Sequence, residues 1–332
     1  MMIVYTTKRL WIHRSQSARK DWENLLEASN LSTQEQTDYT VGIYKGDDLV
    51  ATGSYAGNVI KCVAVHSDYR SENFLTDIVV HLMDQLRSNG SNHYFVYTCP
   101  KNSVYFKSLG FNKIVETSNV TFMEFGHPSF EDYLSMLSNH KKEGNNGAVV
   151  MNANPITKGH LHLIEEIAKR SDYVYVFVLS EDRSEFNDEE RMMLVKRATA
   201  DMSNVIVLPT NDYMVSSATF PSYFLRDRAQ ESVARIQATV DATLFKERVA
   251  PILNIKHRLV GKEPYSRVTE IYNESMSEVF QDDLELEIIP RLEVEGEVIS
   301  ATKVRQALSE GHPESIKNLV PSTTYDYIQN KK

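Results

Sequence analysis

Residues 148–170 carry the pattern that most constrains the fold of this chain. Four apolar residues at 148–151 predict a short buried strand, which ends at the turn formers Asn152-Ala153-Asn154-Pro155. An amphipathic helix is predicted from Gly159 onward, with an apolar face made of Leu161, Ile164, Ile167 and Ala168. A strand, a tight loop and a helix N-terminus direct backbone N–H groups and the positive end of a helix dipole to one point. This stretch therefore predicts a phosphate site.

The loop before the helix reads Thr157-Lys158-Gly159-His160. Gly159 permits close approach to the backbone, and Thr157 and His160 can place hydrogen-bond donors beside a phosphoryl oxygen. This T-x-G-H motif resembles the H-x-G-H signature of the nucleotidyltransferases, which stabilises charge on the α-phosphate; Thr157 stands at the first histidine. The longer string NANPITKGHLHLIEE resembles the citrate lyase ligases, in which threonine is usual there. Taken alone, four residues would favour a simple helix cap or a filled polar gap.

The composition of the chain limits the classes of protein to which it can belong. At 332 residues the chain predicts two domains, and its 42% hydrophobic and 24% charged residues are typical of a globular protein. A net charge of −9 argues against a general binder of nucleic acid or anionic membranes. The cysteines Cys62 and Cys99 predict neither a disulfide framework nor a zinc site. Because no signal peptide or membrane-spanning run is recognisable, we expect a cytoplasmic protein.

The N-terminal part alternates short strands and helices. Helices are predicted over 20–30, 74–87 and 103–108, and strands over 39–44, 49–55, 58–65, 94–98 and 114–117. This order resembles the GNAT acetyltransferase fold over residues 1–126, with VHSDYRSENFLTDIVVHLMDQL in the place of the acyl-CoA loop and helix and L-G-F at 109–111. The family's Q/R-x-x-G-x-G/A pattern falls on Arg70, Asn73 and Leu75, and the side chains of Asn73 and Leu75, in the place of the glycines, obstruct the approach of a pyrophosphate. The domain is either a structural remnant or a groove for a pantetheine arm.

The polar stretch at 139–147 predicts a linker between a domain at 1–138 and a domain at 148–332. Strands are predicted over 148–152, 173–180, 205–210, 257–261 and 284–290, and helices over 159–170, 187–202, 222–248, 265–280 and 301–310. This alternation predicts a parallel sheet with ligands at the carboxyl ends of its strands. The predicted fold class is α/β: a GNAT-like α+β domain followed by a Rossmann-like, doubly wound nucleotidyltransferase domain.

Candidate residues follow the second and third strands. In related nucleotidyltransferases a phenylalanine, an acidic pair and an arginine follow the second, matched here by Phe186, Glu189, Glu190 and Arg191. Arg191 is expected to face the nucleotide phosphates or the acid, unless it is a surface charge. The string NDYMVSSATFPSYFLRD then resembles the citrate lyase ligases. An acid pocket is predicted there from Tyr213, Ser216, Thr219, Tyr223, Phe224 and Arg226, although aromatic clusters are more often core.

Two further motifs lie near the C-terminus. The string GKEPYSRVTEIYN resembles the superfamily's adenosine-binding turn, with Gly261 and Glu263 at the strand end and Thr269 and Asn273 in the next helix. The string EVISATKVR at 297–305 resembles the I-S-S-T-x-I-R box. Within that box Ser300 is a good N-cap, Thr302 and the helix amides can hold phosphate oxygens, and Lys303 or Arg305 can neutralise pyrophosphate. A capped helix with basic surface residues is the alternative.

The resemblance implies a set of site residues. Thr157, Lys158, His160 and Arg305 are the predicted catalytic residues. Asn152, Asn154, Gly159, Arg191, Gly261, Glu263, Ser300, Thr302 and Lys303 are predicted to bind ATP, and Tyr213, Ser216, Thr219 and Arg226 to bind acetate. We expect Mg²⁺ to be carried on the phosphates, without a protein-built metal cage.

The resemblance also implies a reaction. In that reaction ATP and acetate give acetyl-adenylate and pyrophosphate. Acetate suits the role of nucleophile because its carboxylate is already ionised at neutral pH and needs no general base. The thiol of the dephospho-CoA-like prosthetic group on the acyl carrier subunit of citrate lyase then takes the acetyl group, which activates the lyase. We expect the N-terminal domain to receive this swinging arm. Three alternatives remain: an adenylyltransferase with a phosphate acceptor, a GNAT acetyltransferase with a nucleotide-binding module, and a non-enzymatic carrier-binding protein.

Overall fold

The computed structural model describes residues 5–180, 185–214, 221–225, 230–262, 267–294 and 297–331. The chain forms two compact units, one of Met1–Phe130 with Phe220–Ile236 and the other of Glu131–Thr219 with Gln237–Lys332. The sequence instead predicts that 220–236 belong to the second domain and that 139–147 form a linker. Within the described residues, no helix is both long and apolar enough to cross a membrane.

The first unit is a seven-stranded sheet with helices on both faces. Its strands are β1 Tyr5–Arg9, β2 Tyr39–Lys45, β3 Asp48–Ala56, β4 Val59–Val65, β5 His93–Thr98, β6 Asn112–Glu116 and β7 Thr121–Gly126, and its helices are α1 Gln16–Ala28, α2 Phe74–Ser88 and α3 Ser103–Ser108. The sheet order is β1-β2-β3-β4-β5-β7-β6. On one face α2 buries Ile78 and Leu82 against Val41, and on the other α1 buries Trp22 and Leu26. Each helix thus covers one side of the sheet with its apolar stripe.

Strands β4 and β5 of this sheet form a fork. They run parallel and pair only at Val59 with Phe95 and at Ile60 with Val96. Beyond these pairs, Tyr223 packs in one cluster with Cys62 of β4, and its hydroxyl donates to the carbonyl of Tyr97 of β5 at 3.0 Å. A side chain from a distant part of the chain therefore occupies the opening between the two strands, and 221–225 belongs to this unit.

The second unit is a five-stranded parallel sheet in the order β10-β9-β8-β11-β12. Its strands are β8 Asn146–Met151, β9 Val174–Val178, β10 Val205–Pro209, β11 Ile255–Gly261 and β12 Glu285–Ile289. Numbered within the unit, the order is 3-2-1-4-5, which is the order of a doubly wound sheet. The predicted α/β fold class is confirmed. In such a sheet the crevice for ligands opens between the first and fourth strands, here β8 and β11.

Helices and a hairpin complete the second unit. They are α4 Phe130–Ser138, α5 Lys158–Ala168, α6 Asp188–Ala198, α7 Gln230–Leu244 with a π-helical end Phe245–Val249, α8 Arg267–Phe280, the hairpin β13 Glu293–Val294 and β14 Glu297–Val298, α9 Ala301–Ser309 and α10 Ser322–Asn330. The first residues of α7 belong to the first unit. Helix α5 begins where predicted because Thr157 caps it, and it buries Ile164 and Ile167 against the sheet.

Candidate functional site

A cavity of about 240 Å³ opens beside the ends of β8 and β11, where the order of the strands predicts a ligand crevice. Gly159 and His160 of the loop before α5 line it together with Ser300 and Ala301 at the start of α9. The carbonyl oxygen of Ile299 lies only 3.6 Å from the position that a Cβ on Gly159 would take. The fold thus brings two motifs about 140 residues apart to the same cavity.

His160 is held by a capping box of unusual composition. The backbone N–H of Thr157 donates to Nδ1 of His160 at 3.1 Å, and the backbone N–H of His160 donates to Oγ1 of Thr157 at 3.3 Å. Histidine thus takes the place that glutamate or glutamine holds in an ordinary capping box. Because Nδ1 accepts an N–H, its lone pair is occupied and the ring proton resides on Nε2. The buried hydroxyl of Thr157, predicted as a phosphate donor, is itself engaged in this box.

The imidazole of His160 is neutral at physiological pH. Burial, and after it the positive charge of Arg291, lowers the pKa of His160 from 6.5 to about 4. A neutral imidazole with its proton on Nε2 can donate one hydrogen bond to a phosphate oxygen. It cannot act as a cation, so the positive charge at this end of the cavity comes from Arg291, which lines the same wall.

The amides at the start of α5 are not equivalent. The N–H of Lys158 donates to the carbonyl of Leu319 at 2.9 Å, so the chain itself satisfies this donor. A Cβ added at Gly159 would make only ordinary van der Waals contacts, the nearest with Oγ1 of Thr157 at 3.5 Å. A ligand oxygen can therefore reach the backbone of Gly159, whereas the amide of Lys158 is already used.

Arg305 ties the start of α9 to the loop after β8. Its Nη1 donates to the carbonyl of Asn154 at 2.7 Å, and its Nη2 donates to Oγ1 of Thr302 at 3.2 Å. Ser300 caps α9 by accepting from the N–H of Lys303 at 3.3 Å. Thr302 and Lys303 are exposed on the first turn of the helix. Arg305 therefore fixes the distance between the two motifs that line the cavity.

Arg191, predicted to contact ATP, is buried inside the protein instead. Its side chain is 0% exposed, and its Nε donates to the carbonyl of Phe186 at 3.0 Å. Its Nη1 donates to the carbonyl and Oδ1 of Asn152, at 3.1 and 2.7 Å, and to the carbonyl of Leu179 at 2.5 Å. The Oδ1 of Asn154 accepts from the N–H of Phe186 at 3.1 Å. Arg191 and Asn154 thus hold the loops at the strand ends, because buried carbonyl groups need donors.

Three residues with polar side chains in the cavity lining are missing from the set that the sequence predicts. Arg258 of β11, Tyr272 of α8 and Arg291 after β12 line the cavity, as do Gly261 and the residues Thr269 and Asn273 that were named with the adenosine-binding turn. A charged residue in the middle of a predicted buried strand is costly unless it serves a purpose, so Arg258 did carry a signal. Arg291 gave no such signal in the sequence, because it lies in an irregular segment.

The predicted acetate pocket is only partly described. Tyr213 is 3% exposed and packs in the second unit, with its ring centroid 5.0 Å from that of Tyr133. Tyr223 and Phe224 pack in the first unit against a cluster that includes Trp22. Ser216, Thr219, Arg226 and Glu263 lie outside the described residues. Tyr213 and Tyr223 are buried and Phe224 is half-buried.

Comparison with known proteins shows which family this chain resembles. Residues 146–328 match the citrate lyase ligase C-terminal domain family. The citrate (pro-3S)-lyase ligase of Escherichia coli is 34% identical over 92% of this chain and 88% of its own length. Those of Haemophilus influenzae and Klebsiella pneumoniae are 33% and 30% identical, over 92% and 97% of this chain and 94% and 95% of their own lengths.

Other similarities are partial. The phosphopantetheine adenylyltransferase of Staphylococcus carnosus is 41% identical over 63 residues, 18% of this chain and 39% of its own length. Among solved structures, a ribosomal-protein alanine N-acetyltransferase of Escherichia coli is 14% identical with a TM-score of 0.31, over 37% of this chain and 94% of that one. The resemblance drawn from NANPITKGHLHLIEE is confirmed by the relatives that match nearly the whole chain. On that identity and the matched second unit, the chain belongs to the citrate lyase ligase family.

Proposed function

We propose that this enzyme activates acetate with ATP and acetylates the prosthetic-group thiol on the acyl carrier subunit of citrate lyase. In the first step a carboxylate oxygen attacks the α-phosphorus, the bond to the β-phosphate oxygen breaks, and acetyl-adenylate and pyrophosphate form. In the second step the thiolate attacks the acetyl carbonyl, a thioester forms, and AMP leaves. The observation that carries the proposal is the single cavity lined by both the T-x-G-H loop and the start of α9.

The described residues divide the work in the first step. The Nε2–H of His160 donates to an α-phosphate oxygen, the backbone of Gly159 receives the phosphates, and Arg291 supplies positive charge. Arg305 and Arg191 position the loops and do not contact the nucleotide, which revises the roles the sequence suggested. Because Nδ1 of His160 already accepts a hydrogen bond and burial lowers the pKa of the ring to about 4, His160 does not serve as a general base. The acetate carboxylate needs none.

Mg²⁺ fits this site as an ion bound to the phosphates of the nucleotide. The described lining of the cavity carries arginine, histidine, hydroxyl and amide groups and no carboxylate. Such a set of groups suits phosphate oxygens, and Mg²⁺ commonly binds through phosphates and water. When bound, Mg²⁺ neutralises charge on the triphosphate.

An adenylyltransferase acting on a phosphate acceptor is the second candidate. The local identity with a phosphopantetheine adenylyltransferase favours it. The two candidates share the nucleotide site and differ in the acceptor, which is a carboxylate in one and a phosphate monoester in the other. Net charge does not separate them, because the cavity is locally basic in either case.

Exchange of labelled pyrophosphate into ATP by the full chain tests the proposal. With acetate present, we expect exchange that saturates with acetate, followed by thioester formation when the acyl carrier subunit is added. Phosphopantetheine and nicotinamide mononucleotide, supplied in place of acetate, should give no exchange. Exchange with either phosphate and none with acetate would assign the second candidate. Acetyl transfer from acetyl-CoA without ATP would instead assign the first unit as an acetyltransferase.

A further inference from the structure

The guanidinium of Arg258 is buried and makes no hydrogen bond with the described residues. It lies on β11, three residues before Gly261, and is 5% exposed in the wall of the cavity. Its Nε is sealed from solvent and unpaired, and its guanidinium carbon lies 4.6 Å from the ring centroid of Phe245. A buried guanidinium whose N–H groups lack hydrogen-bond partners destabilises a fold, because the desolvation of the charge is only partly offset. Such a group is retained when a ligand supplies the missing partner.

The surroundings of Arg258 limit the charge of that ligand. Tyr272 donates its hydroxyl hydrogen to Asp241, and both groups interact electrostatically with Arg258. Burial raises the pKa of Asp241 to about 6, and Tyr272 and Arg258 oppose that rise. The carboxyl group of Asp241 thus offsets part of the charge of Arg258. A ligand with a single negative charge therefore meets less repulsion from Asp241 than a triphosphate, which brings several.

The walls beside Arg258 suit a short acyl chain. Val149, Leu259 and Met276 line the same cavity, and the last two are 1% exposed. Asn273 also lines it and is 9% exposed, and its side chain makes no hydrogen bond with another residue in the described part of the chain. The groups suited to phosphates, namely His160, Gly159 and Ser300, belong to the loops and helix N-termini. Arg258 lies on a strand and faces residues of α8, so the cavity contains two chemically different regions.

We propose that Arg258 binds the carboxylate of the acid substrate, with Asn273 as a second donor and Met276 against its alkyl chain. This inference rests on the proposed function, since it assigns the acceptor site of the same reaction. A guanidinium offers two parallel N–H donors that match the two oxygens of a carboxylate. The acid is thereby a small monocarboxylate, and the residues Tyr213, Ser216, Thr219 and Arg226 are not needed to hold its charge.

The test compares Arg258→Lys with wild type in the full chain. Lysine keeps the charge opposite Asp241 but loses the forked donor geometry. We expect the KM for acetate in the exchange assay to rise by about 30-fold or more, while the Kd for ATP measured without acid stays within about two-fold. Lys256→Met is the matched control, because Lys256 is an exposed cation two residues earlier on the same strand. It should change neither value.

Two further measurements separate a loss of acid binding from a loss of folding and from a loss of turnover. The double variant Arg258→Met with Asp241→Asn removes both charges, so that no unpaired carboxylate is left buried, and circular dichroism reports whether it folds. NMR saturation transfer from the protein to acetate reports binding without turnover, and we expect it in wild type and not in either Arg258 variant. An unchanged acetate KM in Arg258→Lys, or an ATP Kd that weakens as much as the acid KM, would overturn the inference. Wild type that binds acetate through Arg258 but shows no exchange would refute the proposed function and leave the anion site standing.

Discussion

A single hydrogen bond determines which ring nitrogen of His160 carries the proton. The Thr157 N–H fixes the ring tautomer, and burial with Arg291 keeps the ring neutral, so the residue offers one donor and no charge. The same residue also completes the cap of α5. The helix-capping role that the sequence left open and the phosphate-binding role are therefore compatible, because they use different nitrogens of one ring.

His160→Gln separates these two roles. Glutamine is a normal partner in a capping box, so the free energy of unfolding should change by less than about 1 kcal/mol. The donor at the α-phosphate is lost, and acetate-dependent pyrophosphate exchange should fall by about 100-fold or more. His162→Gln, two residues further along α5, is the control and should keep its exchange rate. Exchange within a few-fold of wild type in His160→Gln would exclude a role for the ring in the reaction.

The pKa of His160 provides an independent reading of the site. In the free protein it is lowered from 6.5 to about 4, so the unfolded chain binds a proton there before the folded chain does. The contribution of His160 to stability is thus present above pH 6.5 and is lost as the pH falls toward 4. Bound ATP places negative charge beside the ring and should raise this pKa, as measured by NMR titration of the ring protons. A pKa that does not move when ATP binds would contradict contact with the phosphates.

Gly159→Ala tests the room that the loop leaves for a ligand. A Cβ there would meet Oγ1 of Thr157 at 3.5 Å and the carbonyl of Ile299 at 3.6 Å, both ordinary contacts. The variant should fold and gain up to about 1 kcal/mol, because glycine is a poor helix residue. The methyl group projects where we place a phosphate, so the Kd for ATP should rise about tenfold or more, measured by calorimetry. Unchanged ATP affinity would move the phosphates away from this loop.

At the scale of elements, periodic segments could be predicted from the sequence and long-range contacts could not. The helix predicted over 74–87 is α2 Phe74–Ser88, because Ile78, Leu82 and Leu86 recur on one face. Strand β1 was missed, since YTTKR shows no alternation and is mostly exposed. The predicted helix over 222–248 is described as α7 Gln230–Leu244 and its π-helical end, with a separate 3-10 turn at Tyr223–Leu225. Long-range contacts, among them those with Trp22 and Cys62, show that this turn belongs to the first unit.

In the candidate site, too, features with local sequence signals could be predicted and features that depend on long-range contacts could not. The T-x-G-H loop and the 297–305 box were found because helix N-termini and caps have local sequence signals. The burial of Arg191 was not predicted, because DEERMMLV reads as an exposed first turn and the accepting carbonyls come from other elements. Arg258 and Arg291 were missed for the related reason that their function depends on which strands lie side by side.

Tyr223 should anchor 221–225 to the first unit. It is 4% exposed, and its hydroxyl is the donor to the carbonyl of Tyr97 in the fork between β4 and β5. Tyr223→Phe should cost about 1 kcal/mol in urea unfolding by losing that bond, and Tyr223→Ala about 3 kcal/mol or more by leaving a cavity. Tyr105, 52% exposed on α3, is the control. If Tyr223→Ala is as stable as Tyr105→Ala, the segment does not fill the fork.

At the scale of the whole molecule, the two units are not consecutive along the chain. The first unit includes Phe220–Ile236, which lies between two parts of the second. A fragment beginning near Gly144 would therefore carry Tyr223 without its partners Trp22 and Cys62. Separation of the two half-reactions is better tested by substitutions in the full chain. A net charge of −9 coexists with a cavity lined by Arg258, Arg291 and His160, so global charge does not describe the site.

A crystal structure of the full chain with an unreactive ATP analogue and acetate would show directly whether the two motifs hold one nucleotide. We expect a triphosphate between the backbone of Gly159 and the start of α9 at Ser300, with Nε2 of His160 within hydrogen-bonding distance of an α-phosphate oxygen. A nucleotide bound elsewhere, or one that contacts only one of these two motifs, would contradict it.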